Sequence, residues 1–185
     1  MDENKSNAQP NLFELKQMLS TPLNRRQYSA HGGTLIYVHE HLHAEEIKLQ
    51  DVTIEAIAVL VQNRITKTRF CIVNTYRAPN FDIHLYLQQM DSVMNCIPQL
   101  NVPTIVTGDF NIDLLSKSGS ESILTKLMRY YGFRQLITEP THRFGSLPDH
   151  MYINFDLPGD ITPIVTPVHF SQHSFITSVF PSYVL

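Results

Sequence analysis

The segment Pro103-Thr104-Ile105-Val106-Thr107-Gly108-Asp109-Phe110-Asn111-Ile112-Asp113 most restricts what this chain can become, because a short apolar, β-rich run breaks at a glycine into alternating polar and apolar residues. A run of this length bounded by turn residues reads as a buried strand. Gly108 permits the tight turn that projects Asp109 and Asn111 from the strand's C-terminal end. A carboxylate and a carboxamide two residues apart can grip a hard cation, a water or a phosphate oxygen. The same residues are common turn-formers and can simply cap the segment that follows. On this segment alone both readings stand.

Around it, apolar β-rich runs alternate with helical patterns. Strands are expected near residues 34–38, 53–61, 69–76, 104–107, 151–155, 161–165 and 175–179. Between them Ile83, Tyr86, Leu87, Met90, Val93, Met94 and Ile97 recur at helical spacing after Asn80 and Asp82, and Pro98 ends the run. Ile123, Leu124, Leu127 and Met128, with a stop at Gly132, predict a second helix after a polar loop over 116–120. Near the amino terminus, residues 11–19 read as an amphipathic helix with Phe13, Met18 and Leu19 partly inward and Glu14 an exposed charge. A chain of 185 residues that is 43% hydrophobic can bury the core of one such α/β domain.

Other features narrow the class. The net charge of -3 gives no electrostatic footprint for nucleic acid, although a local groove can be basic on an acidic protein. Cys71 and Cys96 sit in apolar stretches without metal-ligand spacing, which suits reduced core residues of an intracellular protein. The first residues are polar, with no apolar signal region, and no segment approaches the ~20 apolar residues that cross a bilayer. Of nine histidines, His39, His41 and His43 alternate as one exposed face and a loop, with no fourth ligand nearby. His84, His142, His150 and His169 have no stronger claim on their own.

Further segments recur in an order that carries more information than any of them singly. These are His31-Gly32-Gly33-Thr34-Leu35-Ile36-Tyr37-Val38, Thr53-Ile54-Glu55-Ala56-Ile57-Ala58-Val59, and Phe70-Cys71-Ile72-Val73-Asn74-Thr75-Tyr76-Arg77-Ala78-Pro79-Asn80. After Gly108-Asp109-Phe110-Asn111-Ile112-Asp113-Leu114-Leu115 come Glu139-Pro140-Thr141-His142-Arg143, Pro148-Asp149-His150-Met151-Tyr152-Ile153-Asn154 and Ser171-Gln172-His173-Ser174-Phe175-Ile176. In this order the set resembles the endonuclease/exonuclease/phosphatase superfamily, and within it the endonuclease domain of non-LTR retrotransposon proteins. The resemblance assigns residues 31–180 to an endonuclease/exonuclease/phosphatase-like domain and leaves 1–30 as a non-matching, partly helical segment.

What the resemblance implies is an α/β (α+β) fold, a four-layered two-sheet β-sandwich flanked by helices. It further implies Mg²⁺-dependent hydrolysis of phosphodiesters in nucleic acid, DNA above all. By that likeness Asp109 orients or deprotonates the attacking water, and Asn111 holds a nonbridging phosphate oxygen or the cation. Tyr76 matches a tyrosine that hydrogen-bonds the phosphate, though a partly buried tyrosine with a wet hydroxyl fits it equally. Asp149 matches the carboxylate that fixes the tautomer of a catalytic histidine, here His173. A retrotransposon origin also implies nuclear access, without a basic targeting cluster in view.

Two departures from the pattern limit the expected activity. The closing Ser-Asp-His motif reads Ser171-Gln172-His173, so a neutral amide, able to coordinate through its carbonyl but without charge, replaces a carboxylate. One such charge in a dry site is worth on the order of a hundredfold in rate. The family also opens with a strand, helix and strand carrying a metal-binding Glu, and about thirty residues before Gly32 are too few for that unit. No residue carries over as that Glu, and the missing strands would leave open edges and apolar surface. Three functions follow: a weak or inactive endonuclease-like domain, a live nuclease or phosphatase with a substitute ligand, or a noncatalytic interaction module for a protein or nucleic acid.

Overall fold

The computed structural model describes residues 17–20, 33–97, 100–116, 120–157 and 161–181. Its centre is a six-stranded mixed sheet built from β3 (Leu42–Ile47), β4 (Glu55–Asn63), β5 (Arg69–Tyr76), β6 (Thr104–Asp109), β7 (Arg134–Gln135) and β8 (Asp149–Ile153), in the order β3-β4-β5-β6-β8-β7. Only β5 and β6 run parallel. Their connection must return along the sheet, and helix α1 (Ile83–Cys96) makes that crossover. Asp82 caps α1 by accepting from the Leu85 amide at 2.8 Å.

Alternation along the strands sorts side chains onto two faces. Ala56, Ala58, Cys71, Val73, Val106 and Tyr152 point one way and meet α1 and helix α2 (Ser120–Tyr130) through Tyr86, Met90, Met94, Leu124 and Met128. Facing the other way, Ile57, Val59 and Val61 pack on Ile36 and Val38 of β2 (Leu35–Val38). On that same side Ile105, Met151 and Ile153 pack with Val165 and Ile176, which come from β9 (Ile164–Thr166) and β10 (Phe175–Thr177).

The second β-layer therefore consists of two separate antiparallel pairs, β9 with β10 and β2 with β1 (Gln17–Ser20). This is the expected mixed α+β arrangement with β-layers face to face. Among the described residues no helix lies beyond the second layer. Its outward side chains Leu35, Tyr37, Ile164 and Phe175 stay exposed. No described helix is long and apolar enough to cross a membrane.

One reading is corrected. Residues 17–19 belong to strand β1, not to a helix, because pairing with β2 supplies ladder hydrogen bonds that outweigh a short amphipathic period; residues 11–16, with Glu14, lie outside the described residues. The His39, His41 and His43 stretch forms an exposed strand position and a turn, as its alternation suggests. His43 stands on edge strand β3, its ring 3.0 Å from Glu45, while His39 and His41 flank the turn before it.

Candidate active site

Pairing register builds the site. Glu55, Tyr76, Asp109 and Asp149 occupy one row across β4, β5, β6 and β8. Strands lie about 4.8 Å apart, and partners in one row point to one face. The row's face is the one that meets the second β-layer, so Asp109 and Asp149 leave the end of the sheet side by side, toward the segment that precedes β10. That segment carries His173.

The turn after β6 depends on Gly108. It has φ +141°, and a Cβ there would stand 1.9 Å from the Thr75 carbonyl oxygen of β5. No other residue fits between strands this close. Asn111, at φ 48°, takes the left-handed conformation that asparagine tolerates, and its own amide donates to Asp109 Oδ1 at 3.0 Å. The Asn111 side-chain amide donates to the Arg77 carbonyl at 2.7 Å and to Asp109 Oδ2 at 3.2 Å. Both its protons are used, which leaves Oδ1 as its outward group.

Arg77, to which the sequence alone assigns no role, locks this elbow. Buried next to Tyr76, it donates through Nε to the Phe110 carbonyl at 2.8 Å and through its terminal nitrogens to the carbonyls of Phe81 and Asn111. Its amide also donates to the Asp109 carbonyl at 2.9 Å. A buried guanidinium with five donors is the side chain that can serve several carbonyls at once. The sequence signal was an arginine standing between a strand and a proline.

Asp149 Oδ2 accepts from His173 Nδ1 at 2.8 Å and from the Thr141 hydroxyl at 2.7 Å, and Thr141 Oγ1 accepts from the Asp149 amide at 3.2 Å. These bonds fix His173 with its proton on Nδ1 and turn Nε2 outward. Fully buried Thr141 is the second group that reading the sequence passed over, although its segment was in view. An antiparallel bridge between His142 and His173 holds the histidine loop, with the Arg143 amide on the Gln172 carbonyl and the Ser174 amide on the Thr141 carbonyl.

Gln172 is exposed, and its Oε1 lies 3.2 Å from His142 Nε2. Tyr76 is half-buried at the end of its strand, beside Arg77. Asp113 fits the capping reading of its motif, accepting from the amides of Leu115 and Leu147.

Potential ligand atoms of Asp109, Asp149 and His173 all lie within 4.8 Å of one another. Burial raises the proton affinity of Asp109 first, and the neighbouring Asp149 charge raises it further, against the lowering by the Asn111 amide, His173 and Arg77. Two crowded carboxylates with the Asn111 oxygen nearby are hard donors of the kind a divalent cation takes, so the residues present fit such an ion.

No protein-family model matches this chain, and no curated protein does. Solved structures do. The endonuclease domain of TRAS1, a telomere-specific non-LTR retrotransposon, superposes with a TM-score of 0.66 at 19% identity, over 85% of this chain and 75% of that one. An endonuclease/exonuclease/phosphatase from Bacteroides vulgatus gives 0.62 at 11% identity, over 89% and 76%. The human Nocturnin catalytic domain with bound sulfate gives 0.59 at 15% identity, over 88% and 72%. The chain thus has the fold of the endonuclease/exonuclease/phosphatase superfamily, the one the order of its sequence segments resembles.

Proposed function

We propose that this protein is a metal-assisted phosphodiester hydrolase of the retrotransposon endonuclease type, with low turnover. The observation that carries the reading is the meeting of Asp109 from β6, Asp149 from β8 and His173 from the second layer within one group. Hydrolysis needs an activated water, neutralisation of charge at phosphorus and help for the departing oxygen. Asp109, with raised proton affinity, is suited to take the proton of the attacking water. His173, held through Nδ1 by Asp149, presents Nε2 to a phosphate oxygen or to the leaving oxygen. Tyr76, in the same row, would hydrogen-bond the phosphate from the other side.

Asp109 and Asp149, with the Asn111 carbonyl oxygen, would hold Mg²⁺, which supplies charge neutralisation at the phosphoryl group. Of the two roles open to Asn111, the engagement of both its amide protons favours the cation. Gln172 would join through its carbonyl only by leaving His142, which supports weak rather than full activity. On this reading the substrate is DNA and the protein works in the nucleus, with residues 31–180 as the catalytic domain.

Nicking of supercoiled plasmid tests it. Cleavage that requires Mg²⁺, stops with EDTA and falls at least a hundredfold in Asp109→Ala is expected. Gln172→Asp should raise the rate. A folded protein that leaves the plasmid intact with Mg²⁺ present would sink the hydrolase reading for that substrate. The competing reading, a noncatalytic module on the same scaffold, gains from the neutral Gln172 and predicts a partner still captured by Asp109→Ala.

A further inference from the structure

Two exposed aromatic rings stand on the segments that carry His142 and His173. Phe144 is 73% exposed and Phe170 is 81% exposed. Phe144 touches the His142 ring at 5.3 Å between centroids, and His142 in turn meets His173 at 4.9 Å. Phe170 stands three residues before His173 and packs edge-on against Phe175, two residues after it, at 5.9 Å. The Arg143 guanidinium lies 4.7 Å over the Phe144 ring.

Each ring forgoes burial by standing in water, and on a single chain such rings concentrate where a partner covers them. The partner must offer flat π-faces and a negative charge next to the reacting group. An unpaired nucleotide offers both, whereas the faces of a paired base are already covered by its neighbours in the stack.

We propose that Phe144 and Phe170 form a stacking collar that seats unpaired bases flanking the scissile phosphate, so that the substrate is a single-stranded or locally opened nucleic acid. This rests on the phosphodiester reading of the same site. Arg143 meets an adjacent phosphate, and the rings hold the strand across the line from Asp109 to His173.

Fluorescence anisotropy with a labelled oligothymidylate, alone or annealed to oligoadenylate, and with EDTA present, separates binding from cleavage. Single strand should bind at least tenfold tighter than duplex. Phe144→Ala and Phe170→Ala should each weaken single-strand binding roughly tenfold, and Phe144→Tyr should restore it. Ile65→Ala, at the opposite end of the sheet and 84% exposed, should change nothing. Equal affinity for the two forms, no measurable binding of either, or single-strand binding indifferent to the rings would overturn the collar. Ring-dependent binding without Mg²⁺-dependent cleavage would support the collar while the hydrolase reading fails. Cleavage of duplex untouched by ring removal would do the reverse.

Discussion

His150 sits fully buried against the Phe110 ring, its Nε2 donating to the carbonyls of Ile112 and Leu147. Burial lowers its pKa to about 4 from an ordinary value of 6.5. In that interval the unfolded chain holds a proton that the folded one refuses, so stability is full above the upper value and declines as pH falls toward the lower. Melting temperature should drop across this window, and His150→Gln, though less stable overall, should show a flatter decline.

Asp109 has the opposite sign. Its folded pKa is raised, by burial first and then by Asp149, so its ionisation costs stability as pH rises out of the ordinary carboxylate range. In EDTA at neutral pH, Asp109→Asn should melt at a higher temperature than the native protein, and the gap should close on acidification. Added Mg²⁺ should raise the melting point of the native protein more than that of the variant. A variant no more stable than the native chain at neutral pH would mean that Asp109 is not held at such a cost.

At the scale of elements the turn after β6 is the most constrained joint. Gly108→Ala drives a Cβ into the backbone of β5 at a φ that L-residues avoid. It should destabilise by ~3 kcal/mol, read as a shift of the urea midpoint, and activity should fall with it because Asp109 is the next residue. Much of this was legible in advance. Strands β5 and β6 and both helices carry strong apolar periodicity, and the Gly-Asp-x-Asn elbow announces its own turn.

Other elements were hidden for physical reasons. Edge strand β3 reads Leu-His-Ala-Glu-Glu-Ile, charged on its exposed side as edge strands are when they avoid pairing with other chains. Strand β8 begins at Asp149, two residues before its apolar run, because pairing with β6 extends into the polar end of the ladder. That extension puts Asp149 in the same row as Asp109, a relation of register that no single strand can express. Arg77 and Thr141 were equally silent, since their partners lie on backbone and side chains brought near only by folding.

At the scale of the whole molecule, the site is shared between two parts of unequal firmness. Asp109 and Asp149 stand on a six-stranded sheet covered by helices on one face. His173 arrives on the segment between β9 and β10, strands of three residues each, held by a partly buried cluster and the clasp to His142. Amides of β4, β5 and β6 should exchange with deuterium slowest, and those of β9 and β10 markedly faster. Uniform protection across both layers would contradict this division. If it holds, the proposed hydrolase has an off state that requires no melting: lifting one small hairpin parts the imidazole from its carboxylate and leaves the rest standing. Warming or dilute denaturant should then silence cleavage at a midpoint below the circular-dichroism transition, reversibly, so that turnover serves as a gauge of whether that hairpin is seated.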